Sequence, residues 1–212
     1  DRKNVLESTG EDDPARVYKA DLSNRNIREM RAQVFDKLRC LILNYNFIAR
    51  IDGLQVLPDL RELHLESNAI AKLEGIEANK ALQVLNLKNN RIEVFNLDAE
   101  MENIAHLARL DTLLLDHNSL TRLAGLEYLK ELKILSVTHN AIDTLDNLPA
   151  FSKVKYTHQL ANLDLSHNRI RSLPNALFAS SKTLLNLDLA HNSIDNTAFL
   201  QPLPAYKPST SA

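Results

Sequence analysis

Residues 60–76 read LRELHLESNAIAKLEGI, and this stretch decides the fold. Leu60, Leu63, Leu65, Asn68 and Ile70 set a pattern, L-x-x-L-x-L-x-x-N-x-[IL], that recurs in both directions. Upstream it reads Leu38-Leu41-Leu43-Asn46-Ile48. Downstream come Leu82-Leu85-Leu87-Asn90-Ile92, Leu110-Leu113-Leu115-Asn118-Leu120 and Leu132-Leu135-Val137-Asn140-Ile142. Leu160-Leu163-Leu165-Asn168-Ile170 and Leu184-Leu187-Leu189-Asn192-Ile194 complete the series. The asparagines lie 22, 22, 28, 22, 28 and 24 residues apart, so the chain is built from one unit repeated seven times. The composition carries the same signature, with 39 Leu and 21 Asn against 4 Gly and no Trp in 212 residues.

Each position of the unit has a physical task. The L-x-L core has period two, which is a short strand with its leucines inward and the residues between them outward. One such unit cannot bury its apolar face alone, so neighbours must stack and their strands pair in parallel. The repeated asparagine falls where the chain bends inward. Its amide can satisfy backbone groups that the bend leaves unpaired, which predicts a column of Asn side chains. Gly53, Gly75 and Gly125 each follow a repeat asparagine by seven residues, and Asn147 and Asn175 hold the same slot later. Gly and Asn tolerate positive φ best, so a left-handed turn is expected there.

On these residues the chain resembles the leucine-rich-repeat family over roughly residues 17–200. The 22-residue period and Ile70-x-x-Leu73-x-Gly75-Ile76 are similar to the subclass typified by regulatory subunit 7 of protein phosphatase 1. The resemblance implies an α/β solenoid: a curved horseshoe with a parallel concave sheet and a convex side of 3₁₀ and helical turns. The two 28-residue repeats carry their extra length in 96–109 and 147–159. In the first, Met101, Ile104, Ala105, Leu107 and Ala108 form the apolar stripe of a helix.

The expected organisation has four parts. Residues 1–16 are charged and expected to be extended or poorly ordered. Residues 17–37 form a degenerate first repeat and N-terminal cap, in which Val17, Ala20, Leu22 and Ile27 keep the apolar slots and Arg25 replaces the asparagine. Residues 38–200 hold the seven repeats. Residues 201–212 are a Pro-rich tail; Phe199, Leu200, Leu203 and Tyr206 cover the last coil, or further chain or a partner does. The chain is expected to be a fragment, or the ordered part, of a longer protein.

If the leucines point inward, the concave face is fixed. One outward row runs Lys19, Cys40, Glu62, Val84, Thr112, Ile134, Asn162, Asn186. The next runs Asp21, Ile42, His64, Asn86, Leu114, Ser136, Asp164, Asp188, and a third begins at Ser23 and includes Lys88 and Asp116. Ile42, Val84, Leu114 and Ile134 are apolar in slots that face water. With Glu62, His64, Asn86, Lys88, Thr112 and Asp116 around them, they read as a partner patch with an apolar centre and a polar rim. Asp164 and Asp188 make the C-terminal half acidic, which favours a basic or polar segment.

The remaining chemistry reads as bland. His117, His139, His167 and His191 each precede a repeat asparagine; a ladder forms a line, not the tetrahedron zinc needs, so no metal site is expected. They could make binding pH-sensitive. Cys40 has no obvious adjacent base in the sequence and reads as a passive thiol. There is no phosphate-binding Gly loop, GxSxG, HExxH or CxxC, so neither catalysis nor a cofactor is expected. A net charge of −2 argues against nucleic-acid binding by bulk charge. One cysteine permits no intramolecular disulfide, no apolar run approaches the ~20 residues a membrane span needs, and no Asn-x-Ser/Thr acceptor occurs.

These features point to a non-enzymatic scaffold in the cytoplasm, with the cilium, cytoskeleton or nucleus as narrower settings. It would bind another protein or another segment of its parent chain, and no nucleic acid, membrane or small-molecule substrate. The alternatives are a protein phosphatase 1 regulatory subunit and the recognition domain of a longer enzyme.

Overall fold

The L-x-L triplets form eight three-residue strands in the computed structural model, which describes residues 2–30, 35–93, 107–123, 126, 129–145, 159–173 and 183–195. They are β1 Lys19–Asp21, β2 Cys40–Ile42, β3 Glu62–His64, β4 Val84–Asn86, β5 Thr112–Leu114, β6 Ile134–Ser136, β7 Asn162–Asp164 and β8 Asn186–Asp188. All pair in parallel, in chain order, to make one sheet. Their central residues, Ala20, Leu41, Leu63, Leu85, Leu113, Leu135, Leu163 and Leu187, are register partners from strand to strand. The first seven of these are buried. Parallel strands need a long return path, and here each return supplies more aliphatic side chains to the same interior. Ile48, Leu60, Leu65, Ile70, Leu82, Ile92, Leu115, Leu120 and Ile170 are fully buried in that shared core. At β8, Leu184, Leu187, Leu189 and Ile194 are only partly buried.

The asparagines weld one coil to the next. Asn90 donates through Nδ2 to the carbonyl of Leu87 in its own coil at 3.1 Å and to that of Leu65 in the coil before at 2.9 Å. Its Oδ1 accepts from Ile70 N at 3.0 Å. The same bridging pattern recurs at Asn46, Asn68, Asn118, Asn140, Asn168 and Asn192. The six extra residues of a 28-residue repeat leave it unchanged, because Asn118 still reaches Leu87 O at 2.9 Å.

The convex turns use left-handed glycine. Gly53 (φ 76°) precedes the 3₁₀ turn Leu54–Val56, and Gly75 has φ 79°. Gly125, Asn147 and Asn175 lie outside the described residues, as do most of 96–109, nearly all of 147–159 and the tail 201–212.

Within the N-terminal segment expected to be extended or poorly ordered, two short elements occur. Arg2–Thr9 form a helix, α1, and Pro14–Arg16 a 3₁₀ turn. Local signals explain both. Gly10 (φ 67°) ends α1 by donating its N–H to Leu6 O at 3.0 Å. Asp13 caps the 3₁₀ turn by accepting from Ala15 N at 2.9 Å, and Pro14 opens it. Leu6 packs on the core beside β1, so the charged segment also carries an apolar contact.

Candidate functional site

Two outward rows cross the whole sheet. Lys19, Cys40, Glu62, Val84, Thr112, Ile134, Asn162 and Asn186 are register partners in one. Asp21, Ile42, His64, Asn86, Leu114, Ser136, Asp164 and Asp188 are partners in the other. Within them Val84, Leu114 and Ile134 fall on three adjacent strands in alternating rows, forming a zigzag apolar band. Ile42, Val84 and Leu114 are half-buried and Ile134 is 37% exposed. Glu62 is exposed, and His64, Lys88 and Thr112 are half-buried around the band. Further along, Ile134, Asn162, Asp164, Leu185, Asn186 and Asp188 line an open groove of about 550 Å³.

Two residues expected in the polar rim are not available to a partner. Asp116 is 2% exposed and Asn86 is 8% exposed. Asp116 pairs with Lys88 Nζ at 2.7 Å, accepts from Thr138 N at 3.0 Å and from the Ser136 hydroxyl. Asn86 donates to Glu66 Oε2 at 3.2 Å and accepts from Lys88 N at 3.1 Å. Both side chains fold down to satisfy backbone and side-chain donors at the strand ends, so they build the surface rather than meet a ligand.

The acidic row does similar work. Asp164 accepts from Ser166 N at 3.0 Å and Ser166 Oγ at 2.7 Å, Asp188 from Ala190 N at 2.8 Å, and Asp21 from Ser23 N at 3.0 Å. For Asp21 these bonds from Ser23 hold the carboxyl below its usual range.

The histidines form a structure that the sequence shows only as a spacing. His117, His139, His167 and His191 stack face to face, with ring centroids 4.2, 4.0 and 4.1 Å apart. All four have φ between 53° and 55°, as do residues at the same slot in earlier coils: Tyr45, Ser67 and Asn89 at 54–57°. The slot is left-handed because its N–H turns to the next coil: His117 N reaches Thr138 O at 2.9 Å and His167 N reaches Ala190 O at 2.8 Å. Partial desolvation, then the neighbouring His139 and His191, pulls His167 below its usual 6.5.

Cys40 is a buried free thiol, in keeping with a passive one, although the fold sets Glu62 beside it. Burial, then the Glu62 carboxylate that accepts its S–H, pushes the thiol up to about 11. Sequence reasoning also missed exposed aromatics near the N-terminal end: Tyr18, Tyr45 and Phe47 are about half exposed. Arg28 lies over the Phe47 ring at 5.5 Å, and Lys37 and Arg39 lie 6.0 Å from the Tyr18 ring.

An eight-stranded parallel sheet, coils joined through one asparagine column and an aliphatic interior give the chain the fold of leucine-rich-repeat solenoids. A model for two copies of leucine-rich repeats matches residues 36–78, and a leucine-rich-repeat model matches residues 159–180. No curated protein matches the chain by sequence. Among solved structures it is similar to internalin C2 from Listeria monocytogenes, with TM-score 0.74 and 21% identity over 94% of this chain and 86% of that one. It is similar to a leucine-rich-repeat protein of Leptospira interrogans, with TM-score 0.68 and 27% identity over 90% of this chain and 52% of that one. The TLR13 chain of a TLR13–ssRNA13 complex has TM-score 0.65 and 26% identity over 82% of this chain. This chain spans about half of the Leptospira protein and 24% of the TLR13 chain. Among the described residues no helix is long and apolar enough to cross a membrane.

Proposed function

We propose that the protein is a non-enzymatic scaffold that receives a segment of another protein, or of its own parent chain, across the concave sheet. The zigzag Val84–Leu114–Ile134 carries this reading. Three apolar side chains on adjacent strands face outward in a register that buries every leucine beside them. A receptor whose surface is held by coil-to-coil hydrogen bonds loses little ordering entropy on binding. Ile42, Glu62, His64, Lys88 and Thr112 supply the surrounding contacts, and Asn86 and Asp116 support them from below. The net charge of −2 and the acidic row favour protein over RNA. The setting that fits best is intracellular, with a cytoskeletal or ciliary partner. A second reading, a regulatory subunit of protein phosphatase 1, draws on the 22-residue period and the left-handed Gly53 and Gly75.

The test is affinity purification from native cells with the wild type and the Leu114→Glu/Ile134→Glu double variant. Circular dichroism should be unchanged while a wild-type partner is lost. Recovery of the same partner by the variant would overturn the site. Recovery that depends on RNA surviving nuclease treatment would overturn the protein-binding assignment, and recovery of protein phosphatase 1 would select the second reading.

A further inference from the structure

Three side chains of different donor chemistry meet on β2 and β3 at the N-terminal end of the concave sheet. Cys40 and Glu62 are register partners on adjacent strands. Glu62 and His64 are two residues apart on β3 and so share its outward face. A Cys40 sulfur, a Glu62 carboxylate oxygen and a His64 ring nitrogen all lie within 4.8 Å of one another. His64 Nε2 is 3.4 Å from Glu62 Oε2. A tetrahedral ion with bonds of about 2.0–2.1 Å to N and O and about 2.3 Å to S separates its ligands by roughly 3.3–3.7 Å. The nitrogen–oxygen edge is therefore already set. Small side-chain rotations bring in the sulfur, with the strand register unchanged. The backbone that holds the three is pinned by the sheet, by Arg39 O, which accepts from Glu62 N at 2.8 Å, and by Tyr18 O, which accepts from Cys40 N at 3.1 Å.

We propose that Cys40, Glu62 and His64 form a binding site for Zn²⁺ or a similar divalent transition metal, with the fourth position open to solvent on the concave face. The donor set selects the ion. A thiolate and an imidazole favour borderline and soft divalent metals, whereas Mg²⁺ and Ca²⁺ prefer oxygen alone. Three protein ligands with one free position are the arrangement of an exchangeable rather than a closed site. Binding breaks the S–H bond and releases that proton to solvent as the metal–sulfur bond forms. Lys19, opposite Cys40 on β1, opposes the incoming cation, while Asp21 on the same strand and Glu66 after β3 add negative charge around it. The site shares Glu62 and His64 with the proposed docking surface, but it needs no partner on the sheet and is read out by the metal alone.

Cobalt(II) is the probe, because it reports its own ligands. Titrating the 212-residue chain with Co²⁺ should produce a thiolate-to-cobalt charge-transfer band together with d–d bands of tetrahedral intensity. Zn²⁺ should displace both at one equivalent. Cys40→Ser should abolish the charge-transfer band, and His64→Gln and Glu62→Gln should each weaken Zn²⁺ by more than the roughly 10–100-fold that loss of a mere supporting residue brings. The four stacked imidazoles are the competing metal-binding surface. A His139→Asn/His167→Asn variant must therefore leave the spectrum intact. No charge-transfer band in the wild type, an unchanged band in Cys40→Ser, or its loss in the histidine-stack variant would overturn the assignment. Circular dichroism of each variant ensures that loss of signal reports ligands and not folding.

Discussion

At Gly75 the turn of one coil touches the backbone of the coil before it. A Cβ placed there would sit 2.1 Å from Ile51 O, and φ is already +79°. At Gly10 φ is +67° but nothing lies within 4 Å. The two glycines therefore separate strain from collision. Gly10→Ala should cost about 1 kcal/mol, the price of a left-handed alanine. Gly75→Ala adds a clash with backbone that cannot swing aside and should cost upwards of about 2 kcal/mol, read from urea denaturation midpoints. Equal losses would show that coil contact at Gly75 is not tight. The spacing of Gly53 and Gly75 behind their asparagines made the left-handed turn legible, since few residues tolerate it. Asp116 was not legible in the same way. Its slot faces outward, and only the arrival of Lys88, Ser136 and Thr138 from neighbouring coils folds it down to 2% exposure. The Cys40–Glu62–His64 cluster escaped for a related reason. Metal motifs are recognised by spacing along the chain, and here 22 residues of coil bring the sulfur beside the carboxylate.

The strand and the turn after it behave as a unit. Each repeat asparagine is preceded by a left-handed residue, and in the first six of the seven its N–H extends the sheet's hydrogen bonding past three-residue strands. Where that residue is histidine, the imidazoles fall into a stack. The spacing alone showed a ladder but not that its rings lie face to face, because ring orientation follows from a positive φ that nothing in His announces. The stack has a titration consequence. His167 lies below 6.5 from partial desolvation and then from His139 and His191, against the opposing pull of Asp164 and Asp188. The unfolded chain consequently takes up the proton first as pH falls. This contribution to stability is complete above pH 6.5 and is lost as pH drops through the folded value. An NMR titration should place the His167 midpoint below that of the same residue in urea. His167→Asn, which suits a left-handed slot, should flatten the fall in stability as pH drops below the usual histidine value of 6.5. A folded midpoint at or above the unfolded one would show that the rings are not stacked in solution.

At the scale of the molecule, each strand among the described residues pairs only with its neighbours in the chain, so stability is a chain of similar interfaces. That is why so much of the architecture could be read from five positions: solving one coil solves them all. The irregular parts resist the same treatment. Residues 2–16 fold through a cap at Asp13 and a stop at Gly10, signals that the charge of the segment concealed. The repeat logic can be tested on two adjacent residues of β5. Leu113 is fully buried between its register partners Leu85 and Leu135, whereas Leu114 lies outward between Asn86 and Ser136. Leu113→Ala should cost about 2–5 kcal/mol, as truncation leaves a cavity shared by three coils. Hydrogen exchange should accelerate first in β4, β5 and β6, with β1 and β2 retaining protection, because the damage passes only from neighbour to neighbour. Leu114→Glu, a far more drastic change in chemistry, should cost about 1 kcal/mol or less, because its carboxylate projects into solvent from a half-buried position. If the glutamate proves the more damaging of the two, then inside and outside are exchanged along β5. The apolar zigzag would in that case be core, and the concave face would have no apolar centre to offer a partner.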